Sequence, residues 1–179
     1  PGSKGIIDFI MNLRKQGYTI HTLRGNHEQM MLEARYDERM WELWLRNGGD
    51  SALQSFDVEG LADIPEEYIA FLEQTQYYIE TDQFIFAHAG LNFRTKNIFE
   101  DKEAMLWIRD FQPYQPVLGN RKLIHGHTPK PIDFILNQQG NCINLDGGCV
   151  YDWRPGYGNL VALNLDMMEY VVVKNAEQL

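Results

Sequence analysis

Three segments of the chain each carry a short apolar run into a loop of small residues that holds an asparagine or a histidine. The loops contain Gly-Asn-His at residues 25–27, His-Ala-Gly at 88–90 and His-Gly-His at 125–127. The apolar runs before them are typical of β-strands, and loops at strand ends are where sheet proteins place functional groups. The pattern therefore favours an α/β protein with a site at one edge of a sheet over a helical bundle.

The segments between these loops show helical and strand periodicities in turn. We expect Ser3 to cap the first helix and Gly17 to end it. Further helices are predicted over residues 29–46, 65–74 and 102–108, and strands over residues 18–24, 77–80 and 84–88. KLIHGHT, residues 122–128, is predicted as a brief strand that enters a loop. Residues 133–174 indicate a series of short β segments. Because helices and strands alternate first and strands dominate later, we predict an α/β (α+β) fold with a mixed sheet.

Composition narrows the class of protein. The 179 residues have 44% apolar and 12% aromatic content, which suits one globular domain and argues against disorder. The formal charge of −9 argues against a protein that coats nucleic acid, because phosphate backbones are bound by basic surfaces. The chain contains no run of about 18 apolar residues, so no membrane span is predicted. The only cysteines, Cys142 and Cys149, are too few for a disulfide scaffold, which favours a reducing, cytoplasmic setting.

The residue types in the three loops suit a divalent metal. Four imidazoles and one asparagine oxygen form a donor set for a hard-to-borderline ion, although a pair of metals would need a shared carboxylate that the pattern does not supply. Structural readings stay open beside this one. His88 could be a buried histidine bonded to backbone, Asn26 could be a helix N-cap, and Asp146 could form a turn.

The same loops, read in order, resemble a known family. LRGNHE, FIFAHAGL and LIHGHTP resemble the third, fourth and fifth signatures of the calcineurin-like metallophosphoesterases. The similarity is greatest to the bacterial branch of phosphoprotein phosphatases that act on phosphoserine and phosphothreonine, and WLRNGGDSALQSF, AMLWIRD and INLDGGCVY resemble its connecting segments. The resemblance covers nearly the whole chain. It implies a mixed-sheet β-sandwich flanked by helices.

The chain departs from the family pattern at its start. Two earlier signatures, of the forms GDxHG and GDxxDRG, are absent from these residues, and PGSKGIIDFI resembles the segment that follows the second. We therefore expect one domain over residues 1–179 that lacks its first two βα units. The family uses two divalent ions (Mn, Fe or Zn), so the resemblance implies at most one partial metal site in this chain.

The resemblance also assigns roles to individual residues. Asn26, His88 and His127 match the ligands of one metal ion, and His27 matches the general acid that protonates the leaving alkoxide. Arg109 matches an arginine that holds the phosphoryl group. The residues expected to support the site are His125, Arg24 and Asp146, with Arg24 in a structural ion pair rather than in contact with substrate.

The leading hypothesis is a metal-dependent phosphoester hydrolase of the serine/threonine protein phosphatase type, in which water attacks a phosphomonoester. One alternative is a symmetrical bis(5'-nucleosyl)-tetraphosphatase, which the acidic charge disfavours mildly. Another is an impaired or inactive fragment or binding module. The expected partners are a phosphoprotein or small phosphoester, without nucleic acid or membrane, and a second copy bound through exposed sheet edges.

Overall fold

The computed structural model describes residues 2–176 and divides into two compact units. The N-terminal unit is Pro1–Gln76 and the C-terminal unit is Tyr77–Leu179. Each is described below by itself. Within residues 2–176 no helix has the length and apolar character needed to cross a membrane.

The described part of the N-terminal unit is built from α-helices around one apolar cluster. Its core contains Met30, Trp44, Leu53, Ile69 and Leu72, each less than 9% exposed. Burying these side chains is what holds short helices together, because isolated helices of this length are marginal in water. The helices are α1 (Ser3–Lys15), α2 (Asn26–Ala34), α3 (Glu38–Trp44), α4 (Asp50–Phe56) and α5 (Glu66–Glu73).

Helix α1 ends as predicted but begins differently. Gly2, not Ser3, occupies the N-cap position, and no side chain caps the helix there. At the other end Gly17 has φ +94°, and the amides of Gly17 and Tyr18 bond to the carbonyls of Arg14 and Leu13. This pair of bonds is a Schellman motif, which favours glycine because its φ is positive.

The single helix predicted over residues 29–46 is wrong, because the chain forms two helices there. Asp37 has extended backbone (φ −135°, ψ 119°), and its carboxylate accepts a hydrogen bond from the Arg39 amide to start α3. Aspartate competes in this way with continued helix, which is why it favours N-caps. A π-type turn at Leu45–Gly49, with Gly48 at φ +93°, then joins α3 to α4.

The strand predicted over residues 18–24 is also wrong. Among the described residues this segment makes only one bridge, between Leu23 and Gln76. The Arg24 amide donates to the Gln76 carbonyl at 2.7 Å and the Gln76 amide to the Thr22 carbonyl at 2.9 Å. Strand propensity favours an extended backbone, but a β-ladder forms only where successive residues pair with a neighbouring strand.

The described part of the C-terminal unit has two sheets. A four-stranded sheet has the order β1 (Tyr78–Glu80), β2 (Phe84–Ala87), β3 (Lys122–His125) and β4 (Cys142–Asn144). Strand β1 is antiparallel to β2, whereas β2, β3 and β4 are mutually parallel. The antiparallel strands β5 (Asn159–Asn164) and β6 (Glu169–Lys174) form the second sheet. These strands confirm the predicted α/β fold with a mixed sheet.

Short helices complete this unit: α6 (Lys102–Trp107), α7 (Gln115–Leu118) and α8 (Ile132–Asn137). Helix α6 agrees with the prediction, whereas α8 lies in a segment predicted as β structure. It starts after Pro131, whose carbonyl accepts from the Phe134 and Ile135 amides. Proline favours the start of a helix, and here that local signal outweighs the short apolar run.

Both faces of the four-stranded sheet are covered. On one face Ile85 and Leu123 pack with Met105 of α6 and Leu118 of α7. On the other, Phe84, Ile124 and Ile143 pack with Leu163 of β5 and with Leu165. Strands buried on both faces are held firmly along their length, so the loops at their ends start from fixed positions.

Candidate metal centre

The parallel strands β2, β3 and β4 bring three loops to one edge of the sheet. Phe86 pairs with Ile124 and His125 pairs with Asn144, so all three strands end at nearly the same level. His88 follows β2, the His-Gly-His segment spans the end of β3, and Asp146 follows β4. The loops are bonded to each other: the Gly126 amide donates to the His88 carbonyl, and the Leu145 amide to the His125 carbonyl, both at 2.8 Å.

Two of the predicted ligands converge at this edge. Nε2 of His88 lies 3.1 Å from Nδ1 of His127, with the ring centroids 4.9 Å apart. As neutral imidazoles, one ring must direct an N–H toward the lone pair of the other. Two nitrogens bound at right angles to one ion at about 2.1 Å would be separated by about 3.0 Å, which is close to the distance found here.

The backbone of His127 is unusual for a residue with a side chain. Its φ of +66° lies in the left-handed region, which costs about 1–3 kcal/mol for a non-glycine residue. The Thr128 amide donates to the Gly126 carbonyl at 2.8 Å, which closes a tight turn around His127. Strain of this kind is concentrated at functional sites.

His125, a predicted supporting residue, is partly buried and lies two residues before His127. Burial lowers the pKa of its imidazole, so the ring is neutral near pH 7. Its Nδ1 lies 3.2 Å from the Gly126 carbonyl oxygen, and its ring packs edge-on against Phe111 with centroids 5.2 Å apart. A neutral ring held by backbone and an aromatic side chain suits a supporting role.

Asp146 lies close enough to Arg109 for the arginine charge to affect the pKa of its carboxyl. Burial raises the pKa of the Asp146 carboxyl, while a hydrogen bond from the Gly148 amide at 2.9 Å and the charge of Arg109 act in the opposite direction. The Gly148 contact is a turn interaction, so Asp146 shapes the loop after β4. Arg109 itself is exposed and can meet an anion from solvent.

Two aromatic residues at this edge are absent from the predicted site. The Trp107 ring lies 6.0 Å from the His127 ring at 89°, and Phe111 contacts His125. A methyl group added at Gly90 would lie 2.3 Å from the Phe111 ring, so glycine after His88 allows that contact. The alternation of Trp107, Arg109 and Phe111 along the chain is the signal that could have indicated them.

The remaining predicted residues belong to the N-terminal unit. Helix α2 begins at Asn26, which is 5% exposed, and the N-cap is Gly25 rather than Asn26. The Gly25 amide donates to Oε2 of Glu28 at 2.8 Å, as in a capping box. His27, the second helical residue, is exposed.

The Arg24 side chain is engaged within the same unit. It donates to the carbonyl oxygens of Leu72 and Glu73 at the end of α5, at 3.0 and 2.8 Å, and to Oγ1 of Thr75 at 3.0 Å. A cation near carbonyls at a helix C-terminus is favourable because it meets the negative end of the helix dipole. These contacts fasten the segment before α2 to α5.

The donor set fits part of a metal's coordination shell. Within residues 2–176 no cluster of three or more His, Cys, Asp or Glu side chains is arranged to hold an ion. The pair His88 and His127 nevertheless places two ring nitrogens at a separation that one ion would accept. Imidazole suits Zn and Fe, whereas an amide oxygen such as that of Asn26 also suits Mn, so the donor types do not select one metal.

The chain was compared with known proteins. No solved structure matches the chain significantly. The family model of calcineurin-like phosphoesterases matches residues 1–166, which include all three histidine- and asparagine-bearing loops. The match spans nearly the whole chain, and the chain therefore belongs to the calcineurin-like phosphoesterase family.

Proposed function

We propose that the protein hydrolyses phosphomonoesters as a metal-dependent phosphatase of the serine/threonine type. Membership of the family supports phosphoesterase activity in general. The observation that carries the finer proposal is the 3.1 Å approach of His88 and His127 at the carboxyl edge of β2 and β3, the edge that also carries Asp146 with its cationic neighbour Arg109. Two imidazoles and a guanidinium provide one place for a metal and one for a phosphoryl group.

In this proposal His88 and His127 hold a divalent ion through Nε2 and Nδ1, and Asn26 adds a neutral amide oxygen. When bound, such an ion acidifies a water and polarises a phosphoryl oxygen. Both imidazoles must be neutral to bind it, so the site requires a pH at which neither ring carries a second proton. The assignment of Asn26 rests on the LRGNHE motif and on its place at the start of α2.

Arg109 holds the phosphoryl group. Its planar guanidinium can donate two parallel hydrogen bonds to two phosphoryl oxygens, which fixes the group while charge builds on those oxygens. The nearby Asp146 carboxylate is partly buried and accepts a hydrogen bond from the Gly148 amide, so it gives the guanidinium a fixed anionic neighbour. Replacing Arg109 by lysine would keep the charge and lose the second hydrogen bond.

His27 donates a proton to the leaving alkoxide. An alkoxide is a poor leaving group because its conjugate acid is very weak, and general acid catalysis of this kind contributes about 10²–10⁴-fold. Nitrophenolate leaves readily without a proton. We therefore expect His27→Ala to slow hydrolysis of a phosphoserine peptide far more than hydrolysis of p-nitrophenyl phosphate.

Metal binding provides the first test. Isothermal titration of the protein with Mn²⁺ should show a site whose affinity falls at least about 10–100-fold in His88→Ala and in His127→Ala. His21→Ala is the matched control, since His21 is an exposed histidine outside the three loops. Equal Mn²⁺ affinity in all four proteins would contradict the proposed ligands.

Substrate choice provides the second test. Turnover of a phosphoserine peptide and of diadenosine tetraphosphate is measured side by side with Mn²⁺ present. We expect the peptide to be the better substrate, because the acidic chain disfavours a polyphosphate. A large preference for the dinucleotide would replace the phosphatase proposal with the tetraphosphatase alternative, and no turnover of either would favour the inactive binding module.

A further inference from the structure

A cavity of about 370 Å³ lies in the C-terminal unit between two loops. One wall comes from residues 92–94, which follow β2, and the other from Ile108 and residues 110–114, which follow α6. This volume is in the range of pockets that take small molecules or parts of larger ligands. It is large for the side chain of serine or threonine alone.

The cavity is linked to the candidate metal centre through Phe111, although neither Arg109 nor a predicted metal ligand lines it. Ile108 and Asp110, the chain neighbours of Arg109 on either side, both line it. Phe111, another lining residue, packs its ring edge-on against His125 at 5.2 Å, and His125 is two residues from His127. A ligand whose phosphoryl group is held by Arg109 would therefore have the rest of its structure near this cavity.

Three of the nine lining residues are aromatic. Phe93 and Phe111 lie with ring centroids 6.1 Å apart at 36°, and Tyr114 also lines the cavity. Rings at such separations attract a further ring in an offset or edge-on arrangement. The rim adds one charge of each sign, from Arg94 and Asp110, so the cavity accepts a ring that has a polar edge.

The walls are fixed in place by the local structure. The Asn92 side-chain amide donates to Oδ2 of Asp101 at 2.9 Å, and its oxygen accepts from the Arg94 amide at 3.1 Å. On the other side, the absence of a side chain at Gly90 leaves space for the Phe111 ring. A pocket with fixed walls binds with less loss of entropy than one that must order itself.

We propose that this aromatic pocket receives the leaving group of the phosphomonoester and favours leaving groups that carry an aromatic ring. The proposal rests on the proposed function, because it takes Arg109 to hold the phosphoryl group. Its consequence is a substrate preference: phosphate on a ring-bearing alcohol or phenol is favoured over phosphate on a small alkyl alcohol. Phe93, Phe111 and Tyr114 are the residues that determine it.

Binding of two phosphonates that cannot be hydrolysed tests the pocket directly. Benzylphosphonate and propylphosphonate carry the same charged head and differ in the ring. By titration calorimetry with Mn²⁺ present, we expect the wild-type protein to bind benzylphosphonate about 3–10-fold more tightly. Phe111→Leu and Tyr114→Leu should bring the ratio of the two Kd values close to one.

Two controls keep the result clear. Phe134→Leu removes a half-exposed phenylalanine outside the pocket and should leave the ratio unchanged. Tyr114 is 54% exposed, so Tyr114→Leu tests the pocket even if Phe111→Leu folds poorly. Equal binding of both phosphonates, binding of neither, or a preference that survives both leucine variants would overturn the proposal.

Hydrolysis separates this proposal from the proposed function. Benzyl phosphate and propyl phosphate both release an alkoxide, so a higher kcat/KM for the benzyl ester reports the pocket rather than the chemistry. Hydrolysis of both esters at equal kcat/KM would overturn the pocket and leave the phosphatase intact. A persistent preference for benzylphosphonate with no hydrolysis of any phosphoester would overturn the phosphatase and leave the pocket.

Discussion

The two sheets of the C-terminal unit differ in how many of their faces are covered. The four-stranded sheet is packed on both faces, and Ile85 and Leu123 at its centre are fully buried. The β5–β6 sheet buries Val161 on one face, but its other face leaves Leu160 and Val173 64% and 57% exposed. The comparison teaches that the strands covered on both faces carry the loops of the candidate centre, whereas the half-covered sheet presents an exposed apolar surface.

Truncating one leucine in each sheet tests that comparison with the largest expected effect. Leu123→Ala should lower the free energy of unfolding by about 2–5 kcal/mol, because it leaves a cavity between packed layers. Leu160→Ala should change it by less than about 0.5 kcal/mol, since that side chain is already in water. Urea unfolding measures both, and equal losses would show that the β5–β6 face is covered in solution.

The thiol of Cys142 on β4 is a second probe of the covered sheet. Burial raises the pKa of this thiol to about 12, so very little thiolate exists at pH 8. Alkylation by iodoacetamide, followed by peptide mapping, should be at least about 100-fold slower in the folded protein than in urea. Similar rates would mean that β4 opens readily.

The same shift gives a pH dependence of stability. The folded state holds the Cys142 proton more tightly than the unfolded chain, whose thiol pKa is about 8.5. Stability from this group is therefore complete below about pH 8.5 and is lost as the pH rises toward 12. Cys142→Ser should show a smaller decline in stability between pH 8 and pH 10.

Comparing Gly90→Ala with Gly119→Ala distinguishes steric crowding near the candidate centre from backbone strain. Gly90 and Gly119 both have positive φ, but an added Cβ meets the Phe111 ring at Gly90 and open space at Gly119. Gly119→Ala should cost about 1 kcal/mol from the backbone alone, and Gly90→Ala about 1–3 kcal/mol more from overpacking. Thermal unfolding compares them, and equal costs would mean that Phe111 moves aside freely.

A substitution on the exposed face of the β5–β6 sheet should have the smallest effect on the free energy of unfolding. Val171 and Val173 on β6 pair with Ala162 and Leu160 on β5, so the exposed side chains lie together, and β6 is an edge strand among the described strands. We propose self-association through this surface. Val173→Lys should leave unfolding within about 0.5 kcal/mol and lower the apparent mass in light scattering at high concentration. An unchanged mass would contradict self-association there.

Local patterns in the sequence were sufficient for the covered sheet. Short apolar runs and flanking small residues predict β2 and β3, and histidines after parallel strands meet because parallel strands end at the same edge. Periodicity failed where one polar residue decided the outcome: Asp37 divides a predicted helix in two by capping the second part. Pro131 likewise starts α8 in a segment that reads as β structure.

The aromatic pocket could not be predicted, for a different reason. Phe93 and Phe111 are 18 positions apart, and their contact depends on how two loops return over the end of the sheet. No periodic pattern in the sequence predicts that two loops fold back in this way. The strongest local hint was Gly90, whose missing side chain is needed only once Phe111 is in place.

The left-handed backbone of His127 has a consequence for how the chain could change over generations. Glycine at that position would relieve the strain and make the folded protein harder to unfold, yet it would remove a donor nitrogen from the centre. Selection for folding stability alone would therefore favour glycine at position 127. If His127 binds a metal as proposed, its conformation gives up some folding stability in exchange for that imidazole.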